Sequence, residues 1–402
     1  MFCITCGEVS EDDRCDKCEK ESETNQLITE YFHRGYQYKF IVRFLERDGI
    51  KMSVRTLKRK LNLMNLRRKQ NIDFEDENHI RHIIRTEMSG PGSLAGYRSI
   101  WHALRLKHHL HVPRSFVANV MKEMDPDGVE ARKKRKLRRR TFFSEGPNYS
   151  WHVDGYDKLK PYGFPVHGAI DGFSRRILWL EVVRSNNNPN VTASLFLDSI
   201  RETGGCPRVL VSDRGTENGT AAAIQSTLRS GSNDALAGMK AHRFCSSPAN
   251  QRIEGWWSYL RKNRSSWWMD FFKGLVDEGT LLLGDHIHME CLWFCFARIL
   301  QNDLNSVKDH WNSHRISKNG YSKVHGVPDI MFYLPEYYNA YDCKTEVEED
   351  ELHQFEEYIR EENPDNVYTE YFEYIIDQQQ LGVPSDEQSA LQLFQYIVSL
   401  QL

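Results

Sequence analysis

From Asn148 onward the spacing of apolar residues changes from helical to strand-like, and this change restricts the fold more than any other feature. Three short runs, 149–156, 164–171 and 176–183, read as strands, and 158–163 and 172–175 read as the turns between them. Two consecutive hairpins predict an antiparallel three-strand meander. Over 191–203, Val191, Leu195, Leu197 and Ile200 predict a helix. Val209, Leu210 and Val211 then run without alternation, as in a strand buried on both faces. A second helix is predicted over 219–228. A third begins at Pro248, with Ser247 as its cap. The order is β-β-β-α-β-α, a short strand, then α.

Three acidic residues sit at informative points of this frame. Asp154 lies near the end of the first strand, in Trp151-His-Val-Asp154-Gly. Asp213 ends Val209-Leu-Val-Ser-Asp213, where a buried strand runs into a Gly turn. Glu254 lies on the third helix, in Ser247-Pro-Ala-Asn-Gln-Arg-Ile-Glu254. Strand ends hold two carboxylates rigidly, and a helix can bring in the third. Carboxylates are the hard oxygen ligands that Mg²⁺ or Mn²⁺ prefers, and two such ions drive in-line attack on a phosphodiester. Asp154, Asp213 and Glu254 are therefore the candidate catalytic metal ligands. Asp171 and Glu217 are assigned supporting roles. His152 and His167 are read as ordinary strand residues, and Trp256, Trp257, Trp267 and Trp268 mainly as core.

Four motifs occur in one order: Trp151-His-Val-Asp154, Ile170-Asp171-Gly-Phe-Ser-Arg175, Val211-Ser-Asp213-Arg-Gly-Thr-Glu217-Asn218, and the segment ending at Glu254. Together they resemble the core of retroviral integrases and related transposases, and the chain is similar to integrase-core-domain proteins encoded in animal genomes. The resemblance implies an α/β ribonuclease-H-like catalytic core, a mixed five-stranded sheet flanked by helices, with Asp154, Asp213 and Glu254 as the catalytic triad. It also implies DNA as partner and a homo-oligomer. Between the two Asp lie 58 residues, and between Asp213 and Glu254 lie 40, a longer second gap than is usual in the retroviral enzymes. Where those enzymes commonly place Lys four and seven residues after the Glu, this chain has Ser258 and Arg261.

Upstream of the core, Cys3-x2-Cys6-x8-Cys15-x2-Cys18 gives two Cys-x-x-Cys knuckles, enough for one tetrahedral Zn²⁺. A segment of this size has no core, so metal binding would also drive its folding. Three short helices are expected over 26–70, the last capped by Ser53. Val54, Leu57 and Leu61 are expected inside, with Arg55, Lys58 and Arg59 outside, a helix-turn-helix-like pattern. A second helical unit spans about 76–124, with helices near 96–104 and 114–124. The tandem resembles the paired DNA-binding units of insertion-element transposases. Arg132 to Arg140 has eight positive charges in nine residues, Arg135 and Lys136 among them, and suits phosphates or a nuclear import factor. Retroviral integrases carry a His-His-Cys-Cys module at this end, and this one is all cysteine.

The formal charge of −3 hides an asymmetry. From Tyr341 to Leu402 sixteen Asp and Glu face only Lys344 and Arg360, so residues 1–340 carry a net of +11. A basic body suits a polyanion and an acidic tail can screen it. Phe355, Tyr358, Tyr371, Phe372 and Ile375 predict amphipathic helices in the tail. No apolar run is long enough for a membrane span, no signal-peptide pattern opens the chain, and an intracellular, nuclear protein with reduced thiols is expected. The expected organisation is 1–22 zinc knuckle, 23–70 and 71–127 helical DNA-binding domains, 128–147 basic linker, 148–335 catalytic core and 336–402 acidic tail. Arg261 and Lys262 are further candidate DNA contacts, and no small-molecule cofactor is expected. The favoured reading is a metal-dependent DNA recombinase that cuts and joins strands. The alternatives are a catalytically silent DNA-binding protein of transposon origin and a Mg²⁺-dependent nuclease that does not join.

Overall fold

The computed structural model describes residues 16–68, 74–133, 143–318, 324–359 and 367–400. They form two compact units, one from residues up to 87 and from 96 to 133, the other from 88–95 and 143–400. Cys3, Cys6, Cys15, Arg135 and Lys136 lie outside the described residues.

The first unit is helical. Helices α1 (Asp16–His33), α2 (Tyr38–Arg47) and α3 (Val54–Leu63) pack together through Ile28, Phe32, Ile41, Phe44, Leu45, Leu57 and Leu61, all buried. Ser53 caps α3, accepting from the Thr56 N–H at 3.1 Å. Val54, expected inside, is 38% exposed at the first turn, because Leu57 and Leu61 already fill the face toward α1 and α2. Cys18 lies in the first turns of α1 and is half-buried. Helices α4 (Phe74–Ser89), α5 (Tyr97–Leu106), α6 (Arg114–Met124) and α7 (Pro126–Lys133) follow. α6 ends at Met124 as expected, and Pro126 then starts α7, as proline can at a first helical position. The Arg105 guanidinium is buried and donates to the Phe32 carbonyl at 3.1 Å, tying α5 to α1.

The second unit is built on a mixed five-stranded sheet. Strands β1 (Ser150–Tyr156), β2 (Val166–Asp171) and β3 (Ile177–Val182) form the expected meander. Helix α8 (Pro189–Thr203), the two-residue β4 (Gly205–Cys206), strand β5 (Val209–Ser212), helix α9 (Gly219–Leu228) and strand β6 (His242–Phe244) complete the sheet region, in the order β3-β2-β1-β5-β6. β1 runs parallel to β5, and β5 parallel to β6. Because side chains alternate across a strand, Trp151 and Val153 face α8 and α9 with Phe196, Leu197, Leu210 and Ile224. Tyr156, Val166 and Ile170 face the other way, against Ile253, Trp256, Trp257 and Leu260 of α10 (Gln251–Leu260).

After α10 a π-helical segment, Arg261–Ser265, leads into α11 (Ser266–Asp277). The 28-residue α12 (His286–Ser313) and α13 (Pro328–Tyr333) come next, then β7 (Thr345–Glu346), which pairs with β4. The acidic segment then forms α14 (Glu349–Ile359), α15 (Val367–Gln378) and α16 (Glu387–Ser399). Phe372, Ile375, Ala390, Leu393, Phe394 and Ile397 are buried in one core with Trp268, Phe272 and Phe296 of α11 and α12. Among the described residues no helix is long and apolar enough to cross a membrane.

Candidate active site

The register of β1 against β5 brings the first two acids together. His152 pairs with Val211, and two residues further on lie Asp154, within β1, and Asp213, just past the end of β5, so both side chains emerge on the face that carries α10. Glu254 sits in the first turn of α10. Three residues later on the same helix, the Trp257 indole Nε1 donates to Asp154 Oδ2 at 2.9 Å. Asp213 and Glu254 both act on Asp154 electrostatically. Its carboxyl is pushed up to about 7, first by burial, with the Trp257 hydrogen bond opposing and the Glu254 and Asp213 charges adding.

The other two acids are held differently. Asp213 Oδ1 accepts from the Gly215 N–H at 3.1 Å and from Asn218 Nδ2 at 3.0 Å, so the tight turn after β5 fixes it. Glu254 Oε1 accepts from the Ser247 hydroxyl. Ser247 was the expected cap of this helix. In the structure residues Ser247–Ala249 form a separate short turn and α10 starts at Gln251, which frees the Ser247 hydroxyl for the glutamate. The helix is seated through Asn250, which is fully buried. Its Nδ2 donates to the Val153 carbonyl at 2.9 Å, and its Oδ1 accepts from His152 Nδ1 at 2.8 Å. One amide thus locks the start of α10 to the residues just before Asp154. Burial drives the His152 imidazole down to about 3, so it is neutral and its role is structural.

None of the three carboxylates is ion-paired with Lys, Arg or His among the described residues. Like charges gathered without a counter-ion fit a divalent cation, because only a cation would offset their mutual repulsion. Their oxygens do not close on a single point. Among the described residues the one trio of His, Cys, Asp or Glu with all ligand atoms within 4.8 Å of one another is Glu349, His353 and Glu356. That trio is a surface ion-pair cluster, where Arg201 already holds Glu349 at 2.6 Å and Glu356 at 2.5 Å.

The remaining candidates fall into place around this geometry. Asp171 is buried and takes hydrogen bonds from the Asn148, Phe173 and Ser174 N–H groups and the Ser174 hydroxyl, which makes it the organiser of the β2–β3 turn. His167 accepts from the Trp179 indole at 3.0 Å, inside the fold. Arg261 and Lys262 are exposed on the π-helical segment. Arg55, Lys58 and Arg59 are exposed and line a groove of about 620 Å³ on α3 with Thr56, Asn62 and Leu63. Sequence reasoning missed Trp257 and Asn250. Their signal was spacing, since Trp257 and Asn250 stand three and four residues from Glu254 and share its helical face. It also missed Cys245, whose N–H donates to the Ser212 carbonyl at 2.9 Å and whose thiol feels both Asp213 and Asp154.

Residues 142–325 match the family model of the integrase core domain, which is consistent with an integrase- or transposase-like family member. All five strands of the sheet lie in this segment, and a mixed five-stranded sheet flanked by helices there fits a ribonuclease-H-like fold. No curated protein matches the chain.

Proposed function

We propose, taking the integrase core domain over residues 142–325 as the premise, that this chain is a DNA recombinase that cleaves phosphodiesters and transfers strands through Asp154, Asp213 and Glu254. The observation that carries the reading is the placement of those three unpaired carboxylates about β1, the end of β5 and the facing helix, near enough for Asp213 and Glu254 to act electrostatically on Asp154. They would hold Mg²⁺ or Mn²⁺. Such ions, when bound, activate the attacking oxygen and stabilise the leaving 3′ oxygen. The protein's own contribution is orientation. The β5 turn fixes Asp213, the Asn250 clamp fixes the approach of α10, and Ser247 restrains Glu254. The exposed Arg261 and Lys262, and the basic face of α3, would take DNA phosphates. The zinc knuckle of Cys3, Cys6, Cys15 and Cys18, assembly into an oligomer and a nuclear location belong to the same proposal.

The test is a reaction on short DNA duplexes with Mg²⁺, resolved for nicked and joined products. Nicks and joins that depend on the metal are expected, with Asp213→Asn reducing both by on the order of a thousandfold. Duplex binding with no product, unchanged in Asp213→Asn, would sink the enzymatic reading and leave a DNA-binding protein. Nicks without joins would restrict the activity to hydrolysis.

A further inference from the structure

Helix α10 carries Glu254 in its first turn and Trp257 three residues on, so the two side chains project from one face toward β1. The Trp257 ring is 5% exposed, packed at 5.1 Å against Tyr156 and edge-on at 5.2 Å to Trp256. A buried indole N–H is costly to leave unpaired, as that of the adjacent Trp256 is, and a backbone carbonyl would have satisfied it. Its partner is instead Asp154 Oδ2 at 2.9 Å.

The sheet makes room for this contact. Asp154 pairs across the β1–β2 ladder with Gly168. A Cβ on Gly168 would lie 2.8 Å from Trp257 Cη2 and 3.4 Å from Cζ2, closer than a methyl group can sit against a rigid ring. The indole therefore occupies the place that any other residue at 168 would fill. The phi angle of Gly168 is not in the left-handed region, so close approach rather than backbone freedom is what calls for glycine there. Trp257 and Gly168 come from a helix and a strand 89 positions apart, and together they fix one carboxylate oxygen.

We infer that Trp257 is a positioning residue for Asp154: its N–H occupies one lone pair of Oδ2, sets the carboxylate rotamer, and leaves the other oxygen lone pairs of Asp154 for a divalent cation. An indole N–H donates only, so it orients the carboxylate without competing for the metal. This deepens the proposed function and rests on it, since it assigns a partner to a metal ligand named there.

The experiment uses the full chain labelled with ¹⁵N at the tryptophan indoles and titrated with Mg²⁺. The Trp257 Nε1–H resonance is identified by its loss in Trp257→Phe, which keeps an aromatic ring and removes the donor. It should shift with Mg²⁺ and stop shifting in Asp154→Asn. By calorimetry, Trp257→Phe should weaken Mn²⁺ binding by about 10- to 100-fold, the range for partners that orient metal ligands. Its circular dichroism should stay native, and its duplex affinity without metal should stay unchanged. Gly168→Ala keeps the donor and displaces the ring, and should weaken Mn²⁺ in the same direction. Wild-type Mn²⁺ affinity in a folded Trp257→Phe overturns this inference and leaves the proposed function standing. If Asp154→Asn and Asp213→Asn bind Mn²⁺ as the wild type does, the metal site itself fails and both readings fall together.

Discussion

Burial disfavours the ionised form of Asp154. Its carboxyl titrates near 7 in the folded protein against 3.8 as the reference, chiefly because it is buried. A carboxyl raised in this way holds its proton more tightly folded than unfolded, so its contribution is complete below about pH 3.8. It is lost as pH rises toward 7. Above pH 7, without metal, the fold bears the full cost of the ionised group. Asp154→Asn removes that cost, and thermal melts in chelator at pH 7.5 should show a gain of roughly 1–3 kcal/mol that vanishes by pH 4. A variant no more stable than wild type at either pH would contradict the crowded-carboxylate description. The sequence singled out the three acids because each sits in a recognisable run, two toward strand ends and one at a helix start. It did not make Trp257 or Asn250 legible, because a donor's partner depends on which face of which strand lies opposite, and chain position does not encode that. The four tryptophans read as core are core, with Trp256, Trp257 and Trp268 buried and Trp267 packed against Trp268, and Trp257 in addition touches the site.

At the level of elements, the three strands of the meander were readable to within two residues, since alternation and turn chemistry are local properties of the chain, whereas the two-residue β4 and β7 were not expected. Helix α10 was not, because its start is decided by long-range contacts. Proline and serine at 247–248 satisfy the local rules for a helix start, and yet the helix begins only after Asn250 has engaged β1. The β1 strand depends on this in return. Asn250→Ala leaves the Val153 carbonyl and His152 Nδ1 buried without their partner, which should cost roughly 2–4 kcal/mol in chemical denaturation. Loss of the clamp should also lower cleavage more than duplex binding, because Glu254 moves with the helix. A stability loss under about 0.5 kcal/mol would show that α10 is seated by its apolar face alone.

Across the whole molecule, the acidic C-terminal segment is not a loose appendage among its described residues. Its charge is carried on outer faces, while Phe372, Ile375, Phe394 and Ile397 are buried with α11 and α12. Amphipathic spacing announced helices there, and Phe372 and Ile375 are buried as that spacing implies, whereas Tyr371 stays 46% exposed. The destination of those helices was not readable, since an apolar stripe does not name the surface it will cover. Ending the chain at residue 366 would strip α15 and α16 from α12 and uncover Phe294, which packs on Phe372, and Cys291 and His288, which meet Phe394. The truncated protein should be recovered mainly as aggregate, by light scattering and soluble yield, instead of as a more active enzyme freed from an acidic screen. A soluble, cooperatively melting 1–366 would refute this.

The entry to β1 is also stapled from the far end of the chain. Asn148 Nδ2 donates to Asp342 Oδ1 at 2.8 Å, and the Cys343 N–H donates to the Pro147 carbonyl at 2.9 Å. During synthesis the strand bearing Asp154 therefore emerges nearly two hundred residues before the groups that secure it. A fragment halted before Asp342 would lack both bonds that hold the entry to β1, and the strand bearing Asp154 would depend on its pairing with β2 and β5.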